Sequence, residues 1–299
     1  MNSEVRTTPL VVIIGAGPVG VALAGKLLRS GVPVAALYGR TVEQADAAAA
    51  EAGVLGLSGR VTPLVRAADV GIIAVADHRV PEVAGEYLGS GVLGSNTVVL
   101  HTCGAWAAHE LLGNVVGAVK GVGTLHPLAS ISSQTSAFNR LAAASFGVQG
   151  DPVAVAMASR LVHLMGGTVL PLTTEVMPLY HAGAALGSNV IVAVMDMARQ
   201  VFESAGVPAA IVLSALLPLL RSAADNLEQH GLPDALTGPI ARGDVLTVER
   251  HLAALDQAVP SVAKVYRQLG LQVLAVAERK APAFQATAAA RLRALFGAP

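Results

Sequence analysis

The sequence is poor in charged and aromatic residues, and neither sign of charge prevails. Only 13% of its 299 residues are charged and 3% are aromatic, and 20 Lys plus Arg balance 20 Asp plus Glu. Nucleic acid is therefore not an expected partner, because phosphate backbones bind clustered positive charge and bases stack on aromatic side chains. The single cysteine, Cys103, excludes an internal disulfide and a cysteine-rich zinc site, and it fits a cytoplasmic location.

The sequence also lacks a hydrophobic run long enough to predict a membrane span. The most apolar stretch, residues 204–220, lies between Glu203 and Arg221 and contains Pro208 and Pro218. It falls short of the roughly 20 apolar residues that a helical span requires. We expect a buried helix in this stretch and no membrane partner.

Two kinds of pattern divide the chain. Up to about residue 173, alanine-rich helical stretches alternate with the apolar runs Leu10–Ile14, Val34–Leu37, Val70–Val75, Thr97–Leu100, Gly121–Leu125, Ser145–Val148 and Thr168–Leu172. This alternation predicts βαβ units and a mostly parallel sheet. Helical stretches alone follow, at 174–204, 209–229, 245–258, 260–278 and 281–296. The sequence thus predicts an α/β protein with a Rossmann doubly wound domain over residues 1–173 and an all-helical domain over residues 174–299.

The first apolar run leads directly into a Gly-x-Gly-x-x-Gly motif, Gly15-Ala16-Gly17-Pro18-Val19-Gly20. In a dinucleotide-binding turn, the first glycine permits the tight turn, the second lets backbone approach the pyrophosphate, and the third lets helix and strand pack closely. The N-terminus of the following helix attracts the phosphate charge. A plain tight turn would also tolerate these glycines, but the position between the first strand and the first helix favours a dinucleotide site.

The end of the second predicted strand indicates which dinucleotide binds. An NAD site offers an acidic residue to the ribose there, about 20 residues after the motif, whereas this chain has Gly39, Arg40 and Thr41. Arg40 can pair with a 2′-phosphate and Thr41 can donate its hydroxyl, which favours NADP(H). The alternative is that Arg40 is a solvated loop residue and Glu43 binds the ribose.

Later strand ends supply the remaining cofactor contacts, because ligands of open α/β sheets bind beyond the carboxyl ends of the strands. Ala76, Asp77 and Thr102 follow such ends and are expected to contact the cofactor. His126 also follows a strand end and is expected on the nicotinamide side. Asp77 could equally cap the helix that follows it.

Two neighbouring residues, His101 and Cys103, also allow a purely structural role. His101 could be a buried histidine whose ring is satisfied by backbone groups. Cys103 has no paired base nearby in the sequence, so we expect a packing residue rather than a nucleophile.

Four further motifs connect the two halves of the chain. They are His101-Thr102-x-Gly104, Leu125-His126-Pro127-Leu128, Tyr180-His181 through Ser188-Asn189, and Leu236-Thr237-Gly238-Pro239-Ile240-x-Arg242-Gly243-Asp244 leading to His251. With these motifs, the chain resembles the Rossmann reductases that carry a 6-phosphogluconate-dehydrogenase-like helical C-terminal domain, among them ketopantoate reductase, pyrroline-5-carboxylate reductase and prephenate dehydrogenase. It is most similar to a group of largely unknown function. Some members of that group look like an alternative ketopantoate reductase, which implies reduction of a small anionic keto or imino acid.

The resemblance places catalytic residues near the start of the helical domain. Ketopantoate reductases keep a Lys on the helix that corresponds to the one near Thr174, and an Asn one turn later. This chain has no Lys between Lys120 and Lys264. His181, Ala185 and Asn189 are spaced by four, which predicts His181 and Asn189 on one helical face, where the His can supply the proton that follows hydride addition. The alternative is that they bond across a helix interface.

Two more residues are assigned to the site by the resemblance. In prephenate dehydrogenases a similar His-Pro lies in the active site, which implies a catalytic position for His126. Arg242 is the natural bidentate clamp for a substrate carboxylate, with an ion pair to Asp244 or a contact with a helix C-terminus as the alternative.

The leading hypothesis is an NADP-dependent oxidoreductase that acts on CH-OH or CH-NH groups of a small anionic substrate. The alternative is a nucleotide-binding sensor or partner-binding protein without turnover, which the missing lysine supports. No metal site is expected, because the histidines lack a local ligand pair such as His-x-x-x-His. The apolar C-terminal helices predict a homodimer through the helical domain.

Overall fold

The computed structural model describes residues 8–131, 141, 143–280 and 286–297. The chain divides into two compact units, Met1–Ser188 and Asn189–Pro299. The predicted fold class is confirmed, since the first unit is a mostly parallel sheet covered by helices and the second is helical. The helical segment that the sequence assigned to the second domain from residue 174 lies in the first unit as far as Ser188.

One sheet forms the centre of the first unit. Its strands are β1 (Val11–Ile14), β2 (Val34–Tyr38), β3 (Gly56–Leu57), β4 (Val70–Ile73), β5 (Val98–His101), β6 (Gly121–Pro127), β7 (Ser145–Gly150) and β8 (Thr168–Pro171). Their order is β3-β2-β1-β4-β5-β6-β7-β8, and only β6 and β7 pair antiparallel. The sequence pattern missed β3 because two residues show no periodicity.

Helices cover both faces of this sheet. They are α1 (Pro18–Arg29), α2 (Val42–Ala52), α3 (Pro63–Arg66), α4 (Val80–Gly89), α5 (Ala108–Leu112) and α6 (Pro152–Leu164). A further helix, α7 (Met177–Gly187), follows the last strand. Val11 and Ile13 of β1 pack with α1, α2 and α6, while Val12 and Ile14 pack with α3, α4 and α5. Strands buried on both faces read as continuous apolar runs, which is why the sequence revealed them.

The second unit consists of helices in its described part. They are α8 (Asn189–Ser204), α9 (Ala209–His230), α10 (Val245–Ala258), α11 (Pro260–Lys280) and α12 (Ala286–Gly297). Helices α10, α11 and α12 share a core that includes Val248, Leu274 and Phe296. Gly270 leaves room for the Phe296 ring, because a Cβ atom there would lie 2.5 Å from it. The start of the last predicted helix, residues 281–285, lies outside the described residues.

The expectation of a buried helix over residues 204–220 is wrong. In α9 only Val212 and Leu216 are buried, whereas Leu219 is 68% exposed. The apolar residues surround the helix, so packing on one side leaves the others uncovered. By length and composition alone, the helical segments Thr174–Ser204 and Ala209–His230 are long and apolar enough to cross a membrane.

Candidate active site

The turn between β1 and α1 has the geometry expected of the glycine motif. Gly15 has a φ of +129°, and a Cβ atom on it would lie 2.2 Å from the carbonyl oxygen of Ala74. A Cβ atom on Gly20 would lie 1.9 Å from the Gly15 carbonyl oxygen, whereas Gly17 faces open space. No described side chain caps the N-terminus of α1, so its first N–H groups are available to an anion such as a pyrophosphate.

A groove of about 1150 Å³ runs along this edge of the sheet, where the strand order reverses between β1 and β4. Such a switch point is where open α/β sheets bind their ligands. The predicted contacts that line the groove are Gly15, Ala16, Gly17, Pro18, Val19, Arg40, Ala76 and Thr102. Three other predicted contacts, Gly20, Thr41 and Asp77, are not among its lining residues.

At the groove end next to β2, Arg40 is exposed and forms no ion pair with a described residue. Thr41 has a structural task, because its Oγ1 accepts a hydrogen bond from the N–H of Gln44 at 3.3 Å and caps α2. Glu43 is exposed and does not line the groove, and hydrogen bonds with its own backbone and with Thr41 lower its pKa. The geometry therefore supports Arg40 rather than Glu43 as the residue that meets the ribose.

Asp77 does not cap a helix. Neither the turn at 77–79 nor α4 has a side-chain cap, and the Asp77 carboxylate lies near the Cys103 thiol instead. Burial, together with this carboxylate, raises the pKa of the thiol. Cys103 is a buried free thiol that stays protonated, as expected of a packing residue rather than a nucleophile.

His101 is fully buried at the end of β5, and the protein satisfies both of its ring nitrogens. The N–H of Cys103 donates to Nδ1 at 3.1 Å, so the ring proton resides on Nε2, which lies 3.1 Å from the Thr124 hydroxyl. Burial lowers the pKa of His101 to about 4. This residue supports the strand end and does not face the groove.

Beyond the end of β5, two imidazoles converge on Gly104. One belongs to His126, which the sequence predicted after the end of its strand but which lies within β6. A Cβ atom on Gly104 would lie 2.7 Å from Nε2 of His126 and 2.6 Å from Cδ2 of His181. The two ring centroids are 5.8 Å apart, and His181 is exposed on α7 while His126 is half-buried. Burial, and secondarily the charge of His181, lowers the pKa of His126 to about 4. The structure thus brings together two of the four predicted catalytic residues.

Tyr180 completes this group, and sequence reasoning assigned it no role. Its hydroxyl lies 2.8 Å from Nδ1 of His126, and burial raises the pKa of the phenol. The only sequence signal was its place in the Tyr180-His181 motif.

Gln149 of β7 anchors the segment that precedes α7. Its side-chain oxygen accepts a hydrogen bond from the N–H of Ala108 at 2.8 Å, and its side-chain nitrogen donates to the Thr174 hydroxyl at 3.0 Å.

The other two predicted catalytic residues belong to the second unit. The argument that placed Asn189 on one helical face with His181 is wrong, because α7 ends at Gly187 and Asn189 begins α8 after a break at Ser188. Arg242 is exposed and forms no ion pair within the described residues.

One predicted alternative for Arg242, a pair with Asp244, does not form. The Asp244 carboxylate instead accepts hydrogen bonds from the backbone and the hydroxyl of Thr247 and caps α10. Among the described residues, no group of three or more His, Cys, Asp or Glu could hold a metal ion.

Comparison with known proteins gives two family matches. Residues 10–100 match the family described as NADP oxidoreductase coenzyme F420-dependent, and residues 144–273 match a domain of unknown function, DUF2520. No curated protein matches the sequence significantly. The first match confirms the predicted class, an oxidoreductase of the Rossmann type that uses NADP(H). The second lies across the end of the sheet and most of the helical unit.

Solved structures share the fold at low identity. A protein described as an NADP oxidoreductase from Bacteroides fragilis is 21% identical with a TM-score of 0.67, covering 89% of this chain and 98% of its own. A Thermotoga maritima protein is 20% identical with a TM-score of 0.71, covering 90% and 99%. Pyrroline carboxylate reductase of Plasmodium falciparum, with NADP bound, is 14% identical with a TM-score of 0.60, covering 96% and 98%.

The lowered pKa of His126 makes stability depend on pH. An unfolded histidine takes up a proton near pH 6.5, whereas His126 in the fold does so only near pH 4. Between these values the unfolded chain binds more protons, so the free energy of unfolding falls as the pH decreases. We expect His126→Gln to reduce this slope by up to about 1.4 kcal/mol per pH unit, which is the slope for a difference of one bound proton between the two states.

Urea titrations between pH 7 and pH 5 measure the two slopes. His101, whose pKa burial also lowers to about 4, contributes to the slope in the same pH range, so the difference between the variant and the unaltered protein is the quantity that tests His126. Equal slopes would contradict the assignment of a neutral His126.

Proposed function

We propose that this protein reduces the carbonyl or imine group of a small anionic keto or imino acid with NADPH, in the manner of a ketopantoate reductase, in the cytoplasm. The observation that carries the proposal is the convergence of His126 and His181 on Gly104. Gly104 lies two residues after Thr102, which lines the dinucleotide groove. Groups able to donate hydrogen bonds and a proton therefore lie next to the part of the groove that suits a nicotinamide.

The residues of the groove fit NADPH. The uncapped N-terminus of α1 and the open space at Gly17 suit the pyrophosphate, and the exposed guanidinium of Arg40 suits a 2′-phosphate. When bound, NADPH supplies the hydride to the substrate carbon. The protein must then orient the substrate and deliver a proton to its oxygen or nitrogen.

The proposal is tested by following the loss of NADPH fluorescence with a panel of 2-keto acids, including ketopantoate, and cyclic imino acids. Turnover with one class supports a reductase and identifies its substrate. Tight NADPH binding without turnover on any panel member would instead favour the sensor alternative.

Arg40 is predicted to select NADPH over NADH. Arg40→Asp removes the partner of the 2′-phosphate and adds repulsion, so NADPH binding should weaken by at least about 1.5–3 kcal/mol, a rise in Kd of roughly 10- to 150-fold. Energy transfer from Trp106, the only tryptophan, to the bound nicotinamide measures Kd. The matched control is Arg66→Asp, the same charge change at an exposed residue of α3 that does not line the groove. Equal Kd values for NADPH and NADH in the unaltered protein would refute the assignment.

His181 is the proposed proton donor. Because its pKa is lowered, His126 is uncharged at neutral pH and does not serve as the acid. His181 lies exposed beside it. We expect His181→Ala to lower turnover by roughly 10²-fold, the scale of general acid catalysis, with NADPH affinity nearly unchanged. His230→Ala, which removes another exposed imidazole at the end of α9, is the control.

Arg242→Ala should behave differently, because a carboxylate clamp contributes to binding rather than to proton transfer. Its effect should be a higher KM for an anionic substrate. Full turnover by His181→Ala on an identified substrate would remove His181 from the mechanism.

We further propose a homodimer through the helical unit. The support is the uncovered apolar surface of α9, where Leu219 is 68%, Ile211 53% and Leu213 50% exposed. Light scattering at micromolar concentration should give twice the mass of the chain, and Leu219→Glu should shift the protein toward monomer. Leu64→Glu, at a leucine of α3 that is 49% exposed, is the matched control. A monomeric unaltered protein would refute the dimer, as would partition of the protein into lipid vesicles.

A further inference from the structure

Tyr180 contacts the sheet at two points. Its hydroxyl lies 2.8 Å from Nδ1 of His126, and its ring and hydroxyl lie against Gly147. Gly147 is the antiparallel partner of His126 in the register of β6 and β7. A Cβ atom on Gly147 would lie 2.8 Å from the phenol oxygen, so a larger residue would displace the ring. The phenol thus fits into a space that this glycine leaves open.

The hydrogen bond to His126 indicates the direction of the proton. A phenol hydroxyl has one proton to donate. Among the described residues its hydrogen-bond partner is Nδ1 of His126, so the phenol proton points to Nδ1. A neutral imidazole that accepts at Nδ1 carries its proton on Nε2. Nε2 is the ring atom that lies toward Gly104 and His181.

We propose that Tyr180 is a positioning residue that fixes His126 in the Nε2–H tautomer, so that His126 offers a neutral hydrogen-bond donor to the reacting oxygen or nitrogen of the substrate. This role rests on the proposed reductase function. His126 keeps its proton throughout, and His181 delivers the proton that the product gains.

The electrostatics favour this division of roles. Burial lowers the pKa of His126 more than the charge of Asp77 raises it, and the pKa of the Tyr180 phenol is raised. Both groups are therefore uncharged at neutral pH, and the Tyr180 hydroxyl stays a donor. A neutral imidazole can polarise a carbonyl or imine without becoming an acid itself. The half-buried His126 can thus act as a neutral hydrogen-bond donor near Gly104, and the exposed His181 can act as the acid.

The first experiment reads the tautomer directly. In the full-length protein labelled with ¹⁵N at histidine, the shifts of Nδ1 and Nε2 distinguish the two neutral forms and the charged form. We expect the Nε2–H form for His126 at neutral pH, and a mixture of tautomers in Tyr180→Phe, which keeps the ring and removes the hydroxyl. An Nδ1–H or a charged His126 in the unaltered protein would overturn the inference.

Turnover provides the second measurement. Tyr180→Phe should lower kcat by roughly 10-fold, the scale of one hydrogen bond, and leave the Kd of NADPH unchanged. His126→Gln, whose amide nitrogen reaches the place of Nε2, should retain more turnover than His126→Asn, whose amide does not. Equal loss in both variants, or unaltered kcat and tautomer ratio in Tyr180→Phe, would overturn the inference.

The chain offers a matched control in the second unit. Tyr266 places its hydroxyl 3.0 Å from Nδ1 of His251. Tyr266→Phe should change the His251 signals and leave turnover unchanged. A lack of turnover in the unaltered protein would count against the proposed function alone, because the tautomer of His126 would still decide the role of Tyr180.

Discussion

The parallel register of β1, β4, β5 and β6 is the constraint on which the candidate site depends. The sheet pairs Ile14 with Ile73, Ile73 with His101, and His101 with Thr124, so these four residues lie in one row across the sheet. Gly15 and Thr102 follow this row directly and His126 lies two residues past it within β6, although the three residues come from separate segments of the chain. A slip of one residue would turn the side chains of a strand to the opposite face. Because both faces of the sheet are buried, packing against the helices opposes such a slip.

Glycines shape the candidate site as much as its functional side chains do. At Gly15 and Gly20 the backbone itself occupies the place of a Cβ atom, which keeps α1 close to β1. At Gly104 and Gly147 the space is taken by His126, His181 and Tyr180 instead. The same property of glycine therefore forms the phosphate turn in the groove and accommodates three polar rings at Gly104 and Gly147.

Burial determines the protonation state of these rings. Burying a charged imidazole costs more free energy than its attraction to the Asp77 carboxylate recovers. The pKa of both His101 and His126 is therefore lowered to about 4. A neutral imidazole has one donor and one acceptor nitrogen. Both nitrogens of His101 have partners, a backbone N–H and Thr124, whereas Nδ1 of His126 has Tyr180 of α7 as its partner. His181 lies on the exposed surface of α7, which leaves it accessible to a substrate.

Apart from the two-residue β3, the sequence by itself determined the succession of strands and helices along the chain. It also determined the position of the phosphate turn, because both features arise from local patterns. Gly15 to Gly20 lie within six residues, and the periodicity of an apolar run shows in the run itself. Only the tertiary structure decided that Tyr180 lies against His126, 54 residues away in the chain, and that α9 is uncovered. Contacts of this kind depend on which strand ends meet and which helix faces find partners, and no local pattern contains that information.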